Sequence, residues 1–190
     1  MSRSAVFLDR DGTLIEERGY IDRLDLLEIF PWTADALRLL KRAGFAIVVI
    51  TNQAAVGRGI IDEAFLGEVH RELDTRLARG GAVIDRYYFC PHLVDAPIER
   101  YRQVCRCRKP GPGMIEQACR DLDLDPRRSV MVGDRALDVA CGQAAGTRTL
   151  QVRTGHGNRE SEAPPGGTGA DAILNNLMEA AGWILRNAAR

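Results

Sequence analysis

Five apolar runs punctuate the chain and set its architecture. Ala5-Val6-Phe7-Leu8 is uniformly apolar, and so is Phe45-Ala46-Ile47-Val48-Val49-Ile50. Runs of this kind suit strands buried on both faces, as in parallel sheets. Residues 84–90, which contain Tyr87-Tyr88-Phe89, predict a third strand, and residues 129–132 and 147–152 a fourth and fifth. Between the strands the period becomes helical. Ala36, Leu37, Leu40 and Ala43 share a face that Gly44 closes. Phe65, Leu66, Val69, Leu73 and Leu77 share another, with Asp62 as N-cap and Gly80-Gly81 as the stop. Pro112 opens a helix that turns Met114, Ile115, Ala118, Cys119 and Leu122 inward. Residues 136–144 predict a further helix, and Leu177, Ala180, Ala181, Ile184, Leu185 and Ala188 mark a last amphipathic one.

Strands alternating with helices predict an α/β fold: a doubly wound, mostly parallel Rossmann-like sheet with helices on both faces. The 190 residues suit one domain spanning 1–190. Residues 14–30 are irregular, too short for a cap domain, and apolar enough to pack near the first strand's end. No helical period appears between Pro91 and Arg108, so residues 90–109 read as a loop insert. Residues 155–169 are rich in Gly, Pro and charge and long for an ordered loop, hence mobile or functional.

Composition narrows the function. Basic and acidic residues number 26 each, which gives no electrostatic case for nucleic acid or an anionic membrane. No apolar run reaches membrane-spanning length and no signal pattern opens the chain, so the expectation is cytoplasmic. No heptad or long apolar surface stands out, which suggests a monomer.

The candidate chemistry lies where strands end. Asp9 and Asp11 follow the first strand with Arg10 between them, and Gly12 allows a sharp exit. Open α/β sheets bind ligands at that edge. Two close carboxylates repel unless a cation lies between them or one keeps a proton; a solvated turn is the plainer alternative. Thr51-Asn52-Gln53 follows the second strand and Gly133-Asp134 the fourth. Asp134 fits either a metal ligand or an N-cap. Lys41 and Lys109 are the only lysines, and Lys109 is either a compact positive charge for the site or a solvated surface group.

Cys90, His92, Cys105 and Cys107 supply three thiolates and one imidazole, a full tetrahedral set for structural Zn²⁺. A reduced cysteine cluster with a chance histidine is the rival. Cys119 and Cys141 lie on apolar helix faces as packing residues, and His70 reads as a surface or packing residue, not a ligand. If zinc folds this loop, it also aims Arg108 and Lys109.

Asp9-Arg10-Asp11-Gly12-Thr13, Thr51, Lys109 and Gly133-Asp134, in that order, resemble the four motifs of the haloacid dehalogenase superfamily. The resemblance implies Asp9 as nucleophile and Asp11 as general acid and base. It implies Mg²⁺ held by Asp9, the Asp11 backbone carbonyl and Asp134, with Asp138 in support. Thr51 and Lys109 would then bind the phosphoryl group. With the zinc-type loop, the chain resembles the D-glycero-D-manno-heptose-1,7-bisphosphate 7-phosphatase family, which is related to histidinol-phosphatase domains. That implies a small phosphorylated sugar as substrate, with Asn52, Gln53, Arg108, Gly19 and Tyr20 also binding it. Arg108 would hold the second phosphate. Histidinol phosphate is the alternative substrate, and a non-catalytic phospho-ligand binder the alternative class. One stretch departs from the family pattern Gln-Ser-Gly: Gln53-Ala54-Ala55 lacks the hydroxyl, and Ala55 replaces a residue free to take positive φ.

Overall fold

The structure is a computed structural model and describes residues 2–161 and 168–187. Six strands form one parallel sheet in the order β3-β2-β1-β4-β5-β6. They are β1 (Ala5–Leu8), β2 (Ala46–Asn52), β3 (Arg86–Cys90), β4 (Val130–Gly133), β5 (Arg148–Val152) and β6 (Ala172–Leu174). The sheet order reverses direction at β1, between β2 and β4. That reversal opens a crevice at the strands' C-terminal ends.

Helices α1 (Thr33–Arg42), α3 (Glu63–Arg79) and α7 (Leu177–Asn187) pack on one face with Val6, Leu8, Ile47, Val49, Val130 and Val132. Helix α4 (Gly113–Leu122) and Cys141 of α5 (Ala136–Ala145) cover the other, against Ala5, Phe7, Val48, Ile50 and Met131. Alternate strand residues thus serve opposite cores, which is why β1 and β2 are apolar without a break. The short α2 (Ala54–Gly57) follows β2, and α6 (Gly157–Ser161) follows β5.

Several expectations change. Strand β6 was not anticipated: it is three residues long, half-buried, and lies at the sheet's edge. So few alternating positions leave no period to read. Ala43 is exposed as the C-cap of α1 and does not share its buried face. Residues 155–169 are not wholly irregular, since α6 lies within them; 162–167 fall outside the described residues, as does Ala188. Residues 14–30 form no domain of their own. They fold back through bridges from Ile15 to Asp11 and Ile29 and a single 3-10 turn at Leu24–Leu26.

Candidate active site

The polar residues after β1, β2 and β4 converge as the topology requires, around a cleft of about 410 Å³. Its lining includes Asp9, Asp11, Thr51, Arg108 and Lys109, with Gly19 and Tyr20 from the folded-back segment forming one wall. At the centre is the Lys109 ammonium, 3 % exposed. It lies 2.7 Å from Asp9 Oδ1 and 2.6 Å from Asp138 Oδ1, and donates to the carbonyl of Ile50 at 3.1 Å. Three acceptors for three N–H donors fix its position. Asn52 holds the same residue's backbone: its Oδ1 accepts from the Lys109 N–H, and its Nδ2 donates to the Lys109 carbonyl. The Asn52 amide is therefore occupied in placing Lys109.

Three buried carboxylates share this centre, since Asp9, Asp134 and Asp138 offer oxygens within 4.8 Å of one another. One ammonium does not balance them. Burial raises Asp9 to about 7 against the lowering pull of Lys109, and burial together with Asp9 raises Asp134 to about 8. Burial disfavours the Lys109 ammonium, but Asp138 and Asp9 outweigh it and push that pKa up.

The oxygens are not equally free. Asp138 spends Oδ1 on Lys109 and accepts the Arg135 backbone N–H on Oδ2. Asp134 accepts the His156 backbone N–H on Oδ2 at 2.7 Å, while its Oδ1 is buried without a partner. An orphaned carboxylate oxygen beside a second buried carboxylate fits a hard divalent cation with oxygen ligands. The N-cap alternative for Asp134 is overturned. Arg135 is the N-cap of α5, and Asp138 closes the capping box. Gly12 explains how the chain passes this close: φ is +80°, and a Cβ there would sit 2.3 Å from Asp134 Oδ2.

Asp11 is held from the side. Arg10, 2 % exposed, donates from Nε to its Oδ2 and from Nη2 to its Oδ1, at 3.1 and 3.0 Å. Gln53 Nε2 donates to Asp11 Oδ2 and to the Thr51 hydroxyl, and Gln53 Oε1 accepts from Arg10. Ala55 sits in a right-handed helical turn with no positive φ, so the departure at Ala54-Ala55 carries no backbone strain.

The cysteine cluster closes next door. Sγ atoms of Cys90, Cys105 and Cys107 lie 3.1–3.5 Å apart, and His92 Nδ1 is 3.2 Å from Cys107 and 3.6 Å from Cys90. These edges are slightly shorter than the ~3.8 Å that ligands at zinc's bond length would span. Arg108 Nη1 donates to the carbonyl of His92 at 3.2 Å, which ties this loop to the cleft. Gly57 packs its bare α-carbon on the neighbouring carbonyl of Pro91, where a Cβ would sit 2.2 Å away.

Among the charged and imidazole groups lining the cleft, Arg10, Glu17, Arg58, Arg135 and His156 are given no role by the sequence. The spacing between Asp9 and Asp11 hides Arg10, and His156 enters through a backbone N–H that no side-chain pattern reveals.

A family model described as HAD-hydrolase-like matches residues 106–180. The parallel sheet, the carboxylates at its switch point and the buried lysine between them are those of a phosphatase of this superfamily. The D-glycero-beta-D-manno-heptose-1,7-bisphosphate 7-phosphatase of Escherichia coli K12 is 41 % identical over 177 residues, covering 92 % of this chain and 90 % of its own. The Haemophilus ducreyi protein of the same name is 37 % identical over 186 residues, 97 % of this chain and all of its own. The chain belongs to this family of heptose-bisphosphate phosphatases. The D,D-heptose 1,7-bisphosphate phosphatase of B. bronchiseptica, solved with magnesium and phosphate, superposes with a TM-score of 0.85 at 30 % identity, over 96 % of this chain and 98 % of that one.

Proposed function

We propose that this chain removes the 7-phosphate of D-glycero-β-D-manno-heptose 1,7-bisphosphate, a step toward nucleotide-activated heptose. One observation carries the reading. Asp9 and Lys109 line the same cleft as Arg58 and Arg108, which have no carboxylate partner among the described residues, and the partnerless oxygen of the buried Asp134 lies in the carboxylate cluster just beneath Asp9. A site for one phosphoryl group with two guanidiniums at its wall that no carboxylate neutralises suits a substrate carrying a second phosphate.

Asp9 is the nucleophile. Lys109 engages its Oδ1, leaving Oδ2 to attack phosphorus and form an aspartyl-phosphate. Asp11 protonates the departing sugar alkoxide, then takes a proton from the water that cleaves the acyl-phosphate. Thr51 and Lys109 face the transferred phosphoryl oxygens. Mg²⁺ would be held by Asp9, the Asp11 carbonyl and Asp134, and when bound it neutralises charge on the phosphoryl oxygens. Asp138 keeps Lys109 in place and is not a ligand, because both its oxygens are engaged. Tyr20 and Gly19 confine the sugar. Zn²⁺ at Cys90, His92, Cys105 and Cys107 would be structural, since four protein ligands leave no open position. None of the five cysteines is paired in a disulfide, which fits the reducing cytoplasm, and no described helix is long and apolar enough to cross a membrane.

Phosphate release is measured with Mg²⁺ from both anomers of heptose 1,7-bisphosphate and from histidinol phosphate, with Asp9→Asn as the blank. The β-bisphosphate is expected to lead by at least tenfold in kcat/KM. Preference for histidinol phosphate would overturn the substrate, and no release above the blank would overturn the activity.

A further inference from the structure

His70 has no part in the chemistry described so far, yet it is 9 % exposed and its ring is tied at both ends. On one side it lies flat against Tyr87 of β3, with centroids 4.2 Å apart and planes 14° from parallel. The Tyr87 hydroxyl donates to Asp74 Oδ1 at 2.6 Å, and Asp74 is one helical turn beyond His70 on α3. Helix and strand thus clamp the imidazole between them. On the other side, Nε2 faces Arg10 Nη1 at 3.5 Å.

That contact has a definite polarity. A guanidinium has only donors, so the imidazole nitrogen opposite must present a lone pair. Arg10 spends Nε and Nη2 on the two oxygens of Asp11 and on Gln53, which leaves Nη1 pointing at His70. Burial, with Arg10 adding to it, lowers His70 to about 3, so the ring stays neutral and able to accept. A planar fork bound to both carboxylate oxygens fixes the plane of that carboxylate, which a point charge cannot do. The orientation of Asp11 is therefore inherited from the orientation of Arg10, and that of Arg10 from a side chain 60 residues away in α3.

We propose that His70 is a positioning residue for proton transfer: as a neutral acceptor for Arg10 it aims the Asp11 carboxylate, without touching substrate or metal. The inference rests on the reading of Asp11 as the proton-transfer group. It makes the acid's geometry depend on the seam between α3 and β3, outside the superfamily motifs.

Three variants test it: His70→Leu removes the acceptor, His70→Gln supplies another, and Arg10→Lys removes the fork. Each is assayed with Mg²⁺ on the β-heptose bisphosphate and on p-nitrophenyl phosphate. Wild-type activity on the aryl ester alone would count against the substrate reading and leave this inference intact. His70→Leu and Arg10→Lys are expected to lose on the order of 10- to 100-fold in kcat with KM within about twofold, the scale of a small misplacement. His70→Gln should recover most of that loss. A folded His70→Leu with wild-type kcat overturns the proposal, and so does a His70→Gln that falls as far as His70→Leu. A second readout needs neither substrate nor the leucine variant. In ¹⁵N-labelled protein the His70 Nε2 should resonate as an unprotonated ring nitrogen from pH 5 to 8, and should move in Arg10→Lys. A protonated Nε2 across that range would rule out the acceptor role.

Discussion

Lys109 is the residue on which the charge arithmetic of the site turns. It neutralises part of what Asp9, Asp134 and Asp138 bring, and its ammonium has no fourth direction for solvent. Replacing it by methionine keeps the stem but leaves Asp9 and Asp138 facing each other unscreened. Lys109→Met is expected to lower kcat on the order of 10²- to 10³-fold, the usual cost of removing one preorganised charge, as steady-state phosphate release would measure. Gly12 is the steric counterpart. With φ at +80° and Asp134 within 2.3 Å of any added Cβ, Gly12→Ala should cost about 1–3 kcal/mol of stability in urea unfolding, and should weaken Mg²⁺ binding because Asp134 must move. Retained Mg²⁺ affinity would show that Asp134 has room to yield. Asp9, Asp11, Thr51 and Asp134 were legible in the sequence because each sits at a strand end, and Lys109, from the loop before α4, because it completes a recognisable order of motifs. Arg10 and His70 were not, since their roles depend on which donors point where, and a sequence spacing holds no such information.

At the scale of elements, the cysteine loop matters because it is short of secondary structure and stands beside the cleft. A single 3-10 turn at Glu99–Tyr101 and a small apolar cluster around Val56, Leu66, Ala96 and Tyr101 hold it besides the thiols. Removing one ligand should therefore loosen Arg108 through its bond to the His92 carbonyl. Cys107→Ser is expected to lose zinc by elemental analysis, to unfold at lower temperature, and to fall on the order of tenfold in kcat/KM. Full activity in a zinc-free variant would uncouple loop from cleft. The loop itself was legible from four ligand-type residues at close spacing. Its attachment was not, because Gly57 meets Pro91 backbone to backbone and the Arg108 side chain donates to a backbone carbonyl, contacts that no pairing of side chains announces. The same limit applies to β6, whose three residues pair with β5 without displaying a pattern.

For the molecule as a whole, the buried carboxylates make stability a function of metal and pH together. Asp9 near 7 and Asp134 near 8 hold protons in the metal-free folded state that the unfolded chain would release above about 4. Raised folded-state values mean that stability falls as pH climbs through that window, by up to about 1.4 kcal/mol per unit for each group. On the proposed reading, Mg²⁺ would replace those protons. The rise in unfolding temperature on adding Mg²⁺ should therefore grow from pH 6 to 8 and level off above, as paired thermal scans with and without the ion would record. A rise independent of pH would mean that the ion binds elsewhere. The sheet that gathers these groups also sets when they can meet. Asp9 leaves the ribosome with the first few residues, its lysine a hundred later, and Asp138 and the His156 backbone later again. A nascent chain that has completed β3 carries Asp9, Ile50 and Asn52 but not yet Lys109, Asp134 or Asp138, so hydrolysis can begin only once the second half of the sheet has been added, and the onset of activity during synthesis reports the closing of the fold.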